Sequence, residues 1–185
     1  MSAQRWLILD RDGVINEDSD DFVRSPEEWI PIPGSIDAIA GLAQQGWHIS
    51  VATNQSGIGR GYFPRSAVYA MHRKMRRLVR AQGGEVHDVV FCPHRPDEGC
   101  ECRKPRPGMF RQLQRRTGLD LQQAHVVGDS LRDLEAGQSI GAKLWLVLTG
   151  KGQRTAQSVK ARMPDWWSSV QVRNNLAEVA RELGR

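Results

Sequence analysis

The chain has 185 residues, 39% of them apolar and 25% charged, and carries a formal net charge of +5. That length suits one domain, and that composition a folded globular protein, not a disordered segment. The longest unbroken apolar run is residues 144–148, which excludes a membrane-spanning helix of roughly 20 apolar residues.

The start of the chain lacks the apolar core of a secretory leader, so a cytoplasmic location is expected. A short, wholly apolar strand is predicted over 6–9. Residues 35–45 read as a helix with Ile36, Ile39, Ala40 and Ala43 on one face, stopped by Gly46. A second strand is expected over 48–52. Residues 64–82 form an amphipathic helix with Val68, Met71, Met75, Leu78 and Val79 at helical spacing, ended by Gly83 and Gly84. A strand over 88–91 precedes a helix over 107–117, which has Pro107 at its start and Gly118 at its end. Then come a strand over 125–127, a helix over 131–140 and a strand over 144–148. The tail offers a weaker helix over 156–162, an edge strand near 167–172 and a helix over 175–183.

Strands alternating with helices predict an α/β fold, a Rossmann-like three-layer sandwich around a mostly parallel sheet. One domain over 1–185 is expected. The segments after Asp12 and Thr53 are too short for a large cap domain. Ligands of such sheets bind outside the carboxyl ends of the strands. After the first strand stands Asp10-Arg11-Asp12-Gly13, and after the second Thr53-Asn54-Gln55-Ser56-Gly57. After the 125–127 strand stands Gly128-Asp129, with Asp133 following, and Arg103-Lys104-Pro105 precedes the 107–117 helix.

Carboxylates gathered in one crevice repel unless a cation joins them. Mg²⁺ suits such oxygen ligands together with phosphate. A lysine and a threonine hydroxyl suit phosphoryl oxygens. A carboxylate nucleophile divides ester hydrolysis into two easier steps. A second carboxylate two residues on shares its side of an extended chain and can act as general acid and base. A lone Asp-x-Asp is most often a turn; the ordered combination is the informative signal.

This pattern resembles the haloacid dehalogenase superfamily of phosphatases, carried by Asp10-Arg11-Asp12-Gly13, Thr53, Lys104 and Gly128-Asp129 with Asp133. Within it, LDRDGVIN, TNQSGIGRG, CPH, CECRKPRPGM and VGDSLRDL resemble the branch that holds sugar-bisphosphate and histidinol-phosphate phosphatases. The resemblance implies that Asp10 accepts the phosphoryl group and binds Mg²⁺. It implies that Asp12 is the general acid and base and touches Mg²⁺ through its backbone carbonyl, and that Asp129 is a further Mg²⁺ ligand. Thr53 and Lys104 would hold phosphoryl oxygens, and Asn54 and Arg103 would face the substrate. The implied reaction removes the 7-phosphate of a heptose 1,7-bisphosphate, on the way to nucleotide-activated heptose for lipopolysaccharide. Histidinol phosphate or another small phosphate ester is the alternative. At Ser130 some relatives carry a lysine, so the positive charge near the phosphate is expected to rest on Lys104 and Mg²⁺.

Cys92, His94, Cys100 and Cys102 supply four ligands for a structural Zn²⁺ site. Such a site would fix a loop over about 92–104 that has little apolar content of its own, and with it the adjacent Arg103 and Lys104. Arg73, Lys74, Arg76, Arg77 and Arg80 make a basic helix face, read as solvated. A zinc-dependent nucleic-acid-binding module is the rival from another class, supported by the net charge, but it leaves Asp10, Asp12 and Asp129 without a purpose. The expected partner is a small phosphorylated sugar, with no nucleic acid, no membrane and a monomeric chain.

Overall fold

The computed structural model describes residues 4–185. Its sheet holds β1 (Arg5–Leu9), β2 (Trp47–Asn54), β3 (Asp88–Cys92), β4 (Ala124–Gly128), β5 (Lys143–Val147) and β6 (Val170–Arg173). Their spatial order is β3-β2-β1-β4-β5-β6, and every neighbouring pair is parallel. The chain winds outward from β1 to β3, returns to place β4 beside β1, and winds outward the other way. That reversal is the switch point where such sheets open a crevice at their carboxyl edge.

β1 lies in the middle and is buried on both faces, which its unbroken Trp6-Leu7-Ile8-Leu9 run permits. The two-residue period divides its side chains. Leu7 and Leu9 join Ile49, Val51 and Val127 on one face. Trp6 and Ile8 join Ala52 and Val126 on the other. Helices α1 (Ser35–Gln44), α2 (Arg65–Ala81) and α7 (Leu176–Leu183) cover the first face with Ile39, Met71, Met75 and Val179. Helix α3 (Gly108–Thr117) covers the second with Met109, Phe110 and Leu113. Helix α4 (Leu131–Gln138) adds Ala136 there, and its Leu134 packs with Leu144, Leu146 and Val170. These layers are the three-layer sandwich expected. The segments from β1 to α1 and from β2 to α2 remain loops, with the isolated bridges Asp12–Asn16 and Asn16–Pro31 in the first. No cap domain is inserted among the described residues.

The boundaries differ from expectation where tertiary pairing decides them. β2 continues through Thr53 and Asn54 because these residues pair with Phe91 and Cys92 of β3. Helix α5 spans Gly152–Arg162, starting at a glycine that sequence propensity disfavours. A Cβ at Gly152 would lie 1.8 Å from the Val147 carbonyl oxygen, so only glycine fits that start. The expected edge strand from 167 begins only at Val170, since α6 (Pro164–Trp167) occupies the preceding turn. Trp166 and Trp167 are both half-buried against the Leu134–Leu146 cluster. Lys74 also departs from the solvated reading of its helix face. Its Nζ donates to the Pro26 and Trp29 carbonyls at 2.6 and 2.8 Å, tying α2 to the loop after β1.

His72 on α2 is only 6% exposed and packs edge-on to Phe91 with ring centroids 5.9 Å apart. Burial, then the charge of Arg11, pushes its pKa down to about 3. The unfolded chain takes up this proton near pH 6.5, about the ordinary histidine value. Stability is therefore level above that pH and falls as pH drops below it. By pH 5 this one site costs about 2 kcal/mol. Urea titrations at pH 7.5 and pH 5 should show a loss in the wild type that His72→Leu reduces by that amount. Equal losses in both proteins would mean that His72 is not held neutral.

Candidate active site

The loops leaving β1, β2 and β4, joined by the segment before α3, enclose a cavity of about 290 Å³ at the carboxyl edge of the sheet. Asp10, Asp12, Thr53, Asn54, Arg103, Lys104, Asp129 and Asp133 all line it. The strand-end residues selected from the sequence thus meet in one place.

After Asp10 the chain turns tightly. The Arg11 carbonyl accepts from the amides of Val14, Ile15 and Asn16 at 3.3, 2.8 and 3.2 Å. The turn brings Asn16 back over Asp12, whose carboxylate accepts from Asn16 Nδ2 at 2.9 Å and from Gln55 Nε2 at 2.8 Å. The fully buried Arg11 reaches both Asp12 oxygens, with Nη2 at 2.9 and 3.1 Å. Burial opposes ionisation of Asp12, but Arg11, Asn16 and Gln55 outweigh it and hold its pKa below the usual range. The same Gln55 amide donates to Thr53 Oγ1 at 2.9 Å, linking the β2 hydroxyl to the Asp12 carboxylate.

Lys104 is the buried cation at the centre, 3% exposed. Its Nζ lies 2.7 Å from the Ala52 carbonyl oxygen, 3.0 Å from Asp10 Oδ1 and 2.6 Å from Asp133 Oδ1. Three acceptors match its three protons. Burial opposes its charge, but Asp10 and Asp133 raise its pKa above the ordinary lysine value. Asn54 lines the cavity, yet both its amide atoms bond the Lys104 backbone, at 3.1 Å each. It therefore clasps the lysine segment as well as facing the space where a substrate would sit.

The Asp129 carboxylate lies between two glycines. A Cβ at Gly13 would meet Asp129 Oδ2 at 2.1 Å, and one at Gly150 would meet it at 2.2 Å. Both glycines have positive φ, at 80° and 56°, so any side chain there would also be strained. Asp129 Oδ2 accepts from the Lys151 amide at 2.8 Å. Burial first, then the charges of Asp10 and Asp133, pushes its pKa up to about 8. Burial and Asp133 likewise push Asp10 up to about 6, with Lys104 pulling the other way. Asp133 moves downward although it too is buried. Lys104 holds one of its oxygens, and Ser130 donates to the other from its amide at 3.0 Å and its hydroxyl at 2.6 Å. That Ser130–Asp133 pair is the capping box that starts α4.

The four clustered carboxylates have only two cations in direct contact, Arg11 and Lys104, so with all four ionised an added cation would be needed beside Asp10 and Asp129. Carboxylate oxygens of Asp10, Asp129 and Asp133 lie within 4.8 Å of one another. Both Asp133 oxygens are already bonded, which leaves Asp10 and Asp129 as the carboxylates able to hold a divalent cation. A hard cation with oxygen ligands fits this charge and donor set.

The second cluster crosses from β3 to the segment before α3. Cys92 Sγ is 3.5 Å from His94 Nδ1 and 3.6 Å from Cys100 Sγ. Cys102 Sγ is 3.2 Å from His94 Nδ1 and 3.6 Å from Cys100 Sγ. Zinc bonds of about 2.3 Å to sulfur and about 2.0 Å to nitrogen give tetrahedron edges of about 3.5–3.8 Å. The four ligand atoms are close to that spacing, so the residues fit a four-coordinate Zn²⁺. The three cysteines form no disulfide.

Several cavity residues escaped sequence reading. Lys151 follows β5, so the strand-end rule would have found it had it been applied to that strand. Its Nζ pairs with Asp18 at 2.8 Å, anchoring the acidic loop over 17–21. Positive charge in the cavity therefore does not rest on Lys104 alone, since Arg60, Arg132 and Lys151 also line it. Arg103 is half-buried; burial, then its neighbour Arg132, lowers its pKa. The roles of Arg11 and Gln55 had no sequence signal beyond their place beside Asp12 and Thr53.

Residues 101–175 match the family described as HAD-hydrolase-like. The chain belongs to these haloacid dehalogenase-like hydrolases, among their phosphatases. It is 53% identical over 179 residues to D-glycero-beta-D-manno-heptose-1,7-bisphosphate 7-phosphatase of Pseudomonas putida, covering 97% of this chain and 99% of that one. It is 58% identical over 153 residues to the protein of the same name from Pseudomonas aeruginosa, covering 83% and 86%. A crystal structure of D,D-heptose 1,7-bisphosphate phosphatase from Bordetella bronchiseptica, complexed with magnesium and phosphate, superposes with a TM-score of 0.90. That protein is 49% identical, and 97% of each chain is covered. No helix among the described residues is long and apolar enough to cross a membrane.

Removing the central cation should leave buried carboxylates unpaired. Lys104→Met should destabilise the fold by about 3–5 kcal/mol in urea titrations without divalent cation. A change within about 1 kcal/mol would mean that the lysine pairs are not buried ones.

Proposed function

We propose that this chain removes the 7-phosphate of D-glycero-D-manno-heptose 1,7-bisphosphate by way of an aspartyl-phosphate. The observation that carries the reading is the convergence of Asp10, Asp12, Thr53, Lys104 and Asp129 in one cavity. Likeness to the heptose bisphosphate phosphatases along nearly the whole chain supports the substrate.

In the first half-reaction an Asp10 oxygen attacks phosphorus. The bond from phosphorus to the ester oxygen breaks, and Asp12 gives that oxygen a proton. In the second half, Asp12 takes a proton from water as the water oxygen attacks phosphorus, which frees Asp10 and inorganic phosphate. Arg11, Asn16 and Gln55 fix the orientation of Asp12 for both steps and favour its ionised form, which suits it as the base of the second step; in the first it gives its proton from the minority protonated form. Thr53 holds a phosphoryl oxygen, and Lys104 holds another with the proton that meets Asp10 in the free enzyme, while Asn54 keeps Lys104 in register. Arg103 faces the sugar end of the substrate. Asp10, Asp129 and the Asp12 backbone carbonyl would hold Mg²⁺, which when bound offsets the charge shared by phosphate and carboxylates. Cys92, His94, Cys100 and Cys102 would hold a structural Zn²⁺ that fixes the loop carrying Arg103 and Lys104. A nucleic-acid module would leave the clustered carboxylates of Asp10, Asp12, Asp129 and Asp133 without a purpose.

Phosphate release should be measured from heptose 1,7-bisphosphate, histidinol phosphate and a 3′-phosphorylated oligonucleotide, with Mg²⁺ and with EDTA. The heptose should be strongly preferred and its turnover lost in EDTA. Asp10→Asn should lower kcat by at least about a thousandfold with the fold intact by circular dichroism, since covalent catalysis is lost. Comparable turnover of all three substrates would remove the heptose, and an active Asp10→Asn would remove the nucleophile.

Zinc is checked separately. Metal analysis should find one Zn per chain, and Cys100→Ser should lower both that content and Tm. Unchanged stoichiometry in the variant would reject the ligand set.

A further inference from the structure

Gln55 stands directly after β2, lines the catalytic cavity and is only 4% exposed. Its main chain is anchored before its side chain comes into play, because its backbone amide donates to the Cys92 carbonyl at 2.7 Å, where β3 ends. From that anchor a single side-chain nitrogen, Nε2, reaches two acceptors. They are Asp12 Oδ2 at 2.8 Å and Thr53 Oγ1 at 2.9 Å.

A carboxamide has one end that accepts and one end with two protons to donate. Asp12 decides which end faces inward. An ionised carboxylate can only accept, so the nitrogen must meet it. The same nitrogen then has its second proton for Thr53. The consequence falls on the threonine hydroxyl, which has one proton and two lone pairs. Gln55 takes a lone pair, and among the described residues the hydroxyl has no other side-chain or main-chain partner. Thr53 lines the cavity and is 1% exposed, so little water reaches its hydroxyl. Its proton is therefore left for an acceptor in the cavity. A carboxamide turned the other way would accept that proton itself, and a phosphoryl oxygen would then meet oxygen lone pairs. Donors aimed in advance at a phosphoryl group need no reorganisation when it arrives.

We propose that Gln55 is a positioning residue that sets the polarity of the Thr53 hydroxyl, holding it as a donor toward the phosphoryl group. This rests on the phosphatase reading, in which Thr53 holds a phosphoryl oxygen, and adds a residue that acts on the phosphate through Thr53.

Two substitutions separate that role from simple packing. Gln55→Glu keeps the shape but offers Thr53 an acceptor, and Gln55→Met offers it neither donor nor acceptor. Each is made in the wild-type chain and in Thr53→Val, and the affinity for inorganic phosphate with Mg²⁺ is measured by calorimetry. The negative charge of Gln55→Glu weakens phosphate in both backgrounds, whereas capture of the hydroxyl proton weakens it only where the hydroxyl exists. The loss from Gln55→Glu should therefore be about tenfold greater with Thr53 than in Thr53→Val, the scale of a charge-assisted hydrogen bond. Gln55→Met should cost about threefold with Thr53, as for a weakened hydrogen bond, and nothing further in Thr53→Val. Losses of equal size in the two backgrounds would overturn the proposal, since contacts that do not couple give additive effects. Should Gln55→Glu fail to fold by circular dichroism, the Gln55→Met cycle decides alone. Coupled losses in a chain that does not turn over the heptose would keep the proposal and reject only that substrate. A wild type that binds no phosphate would overturn it together with the place given to Thr53.

Discussion

One ammonium group, the Nζ of Lys104, lies within 3.0 Å of two carboxylates and a main-chain carbonyl. Without it Asp10, Asp129 and Asp133 would face one another in a low-dielectric crevice, where at most some could ionise. The lysine divides them into unlike groups. Asp133, held also by Ser130, stays charged and acts as the permanent counterion. Asp10 and Asp129 carry raised pKa values and so have the greatest need of a cation. Asp12 is set apart by a different device, a bidentate arginine with two amide donors. Four aspartates thus receive distinct chemical characters from their immediate partners.

Holding Lys104 in place recruits much of the fold. Asn54, the last residue of β2, clasps its backbone, and Cys102 lies two residues before it. The cysteine segment is braced in turn against the loop after β2, where the Gly59 amide donates to the Pro93 carbonyl at 2.9 Å. A Cβ at Gly59 would lie 2.8 Å from that oxygen, so the close approach needs glycine. The cysteine cluster and the segment that carries Lys104 are therefore mechanically continuous.

How much of this was readable follows from locality. Each strand end carries its polar residues within a few positions of an apolar run, so Asp10, Thr53 and Asp129 stand out in the sequence. Lys104 was found by its place before a helix and beside the cysteines. Arg11 was not, because its side chain turns inward only after the 11–16 turn closes. Gln55 looks like a turn residue until Asp12 and Thr53 stand on either side of it. Lys151 follows a strand whose end carries only Leu148, Thr149 and Gly150, without a carboxylate to draw attention. The tail misled for another reason. Pro164 starts a short helix that takes in Trp167, which reads as the start of the edge strand, and packing against Leu134 and Leu146, remote in sequence, holds it there.

The hydrogen bond from Thr149 Oγ1 to the Gly13 carbonyl, 2.6 Å long, spans 136 residues of sequence. Together with the Asp129–Lys151 contact it closes the cavity between the first strand and the fifth. These contacts join residues far apart in sequence, so the closure needs the first and fifth strands both in place in the sheet. A ligand that bridges Asp10 and Asp129 consequently binds the native state alone. Its concentration then sets the apparent folding equilibrium by mass action, adding about 2.7 kcal/mol when it exceeds its Kd a hundredfold.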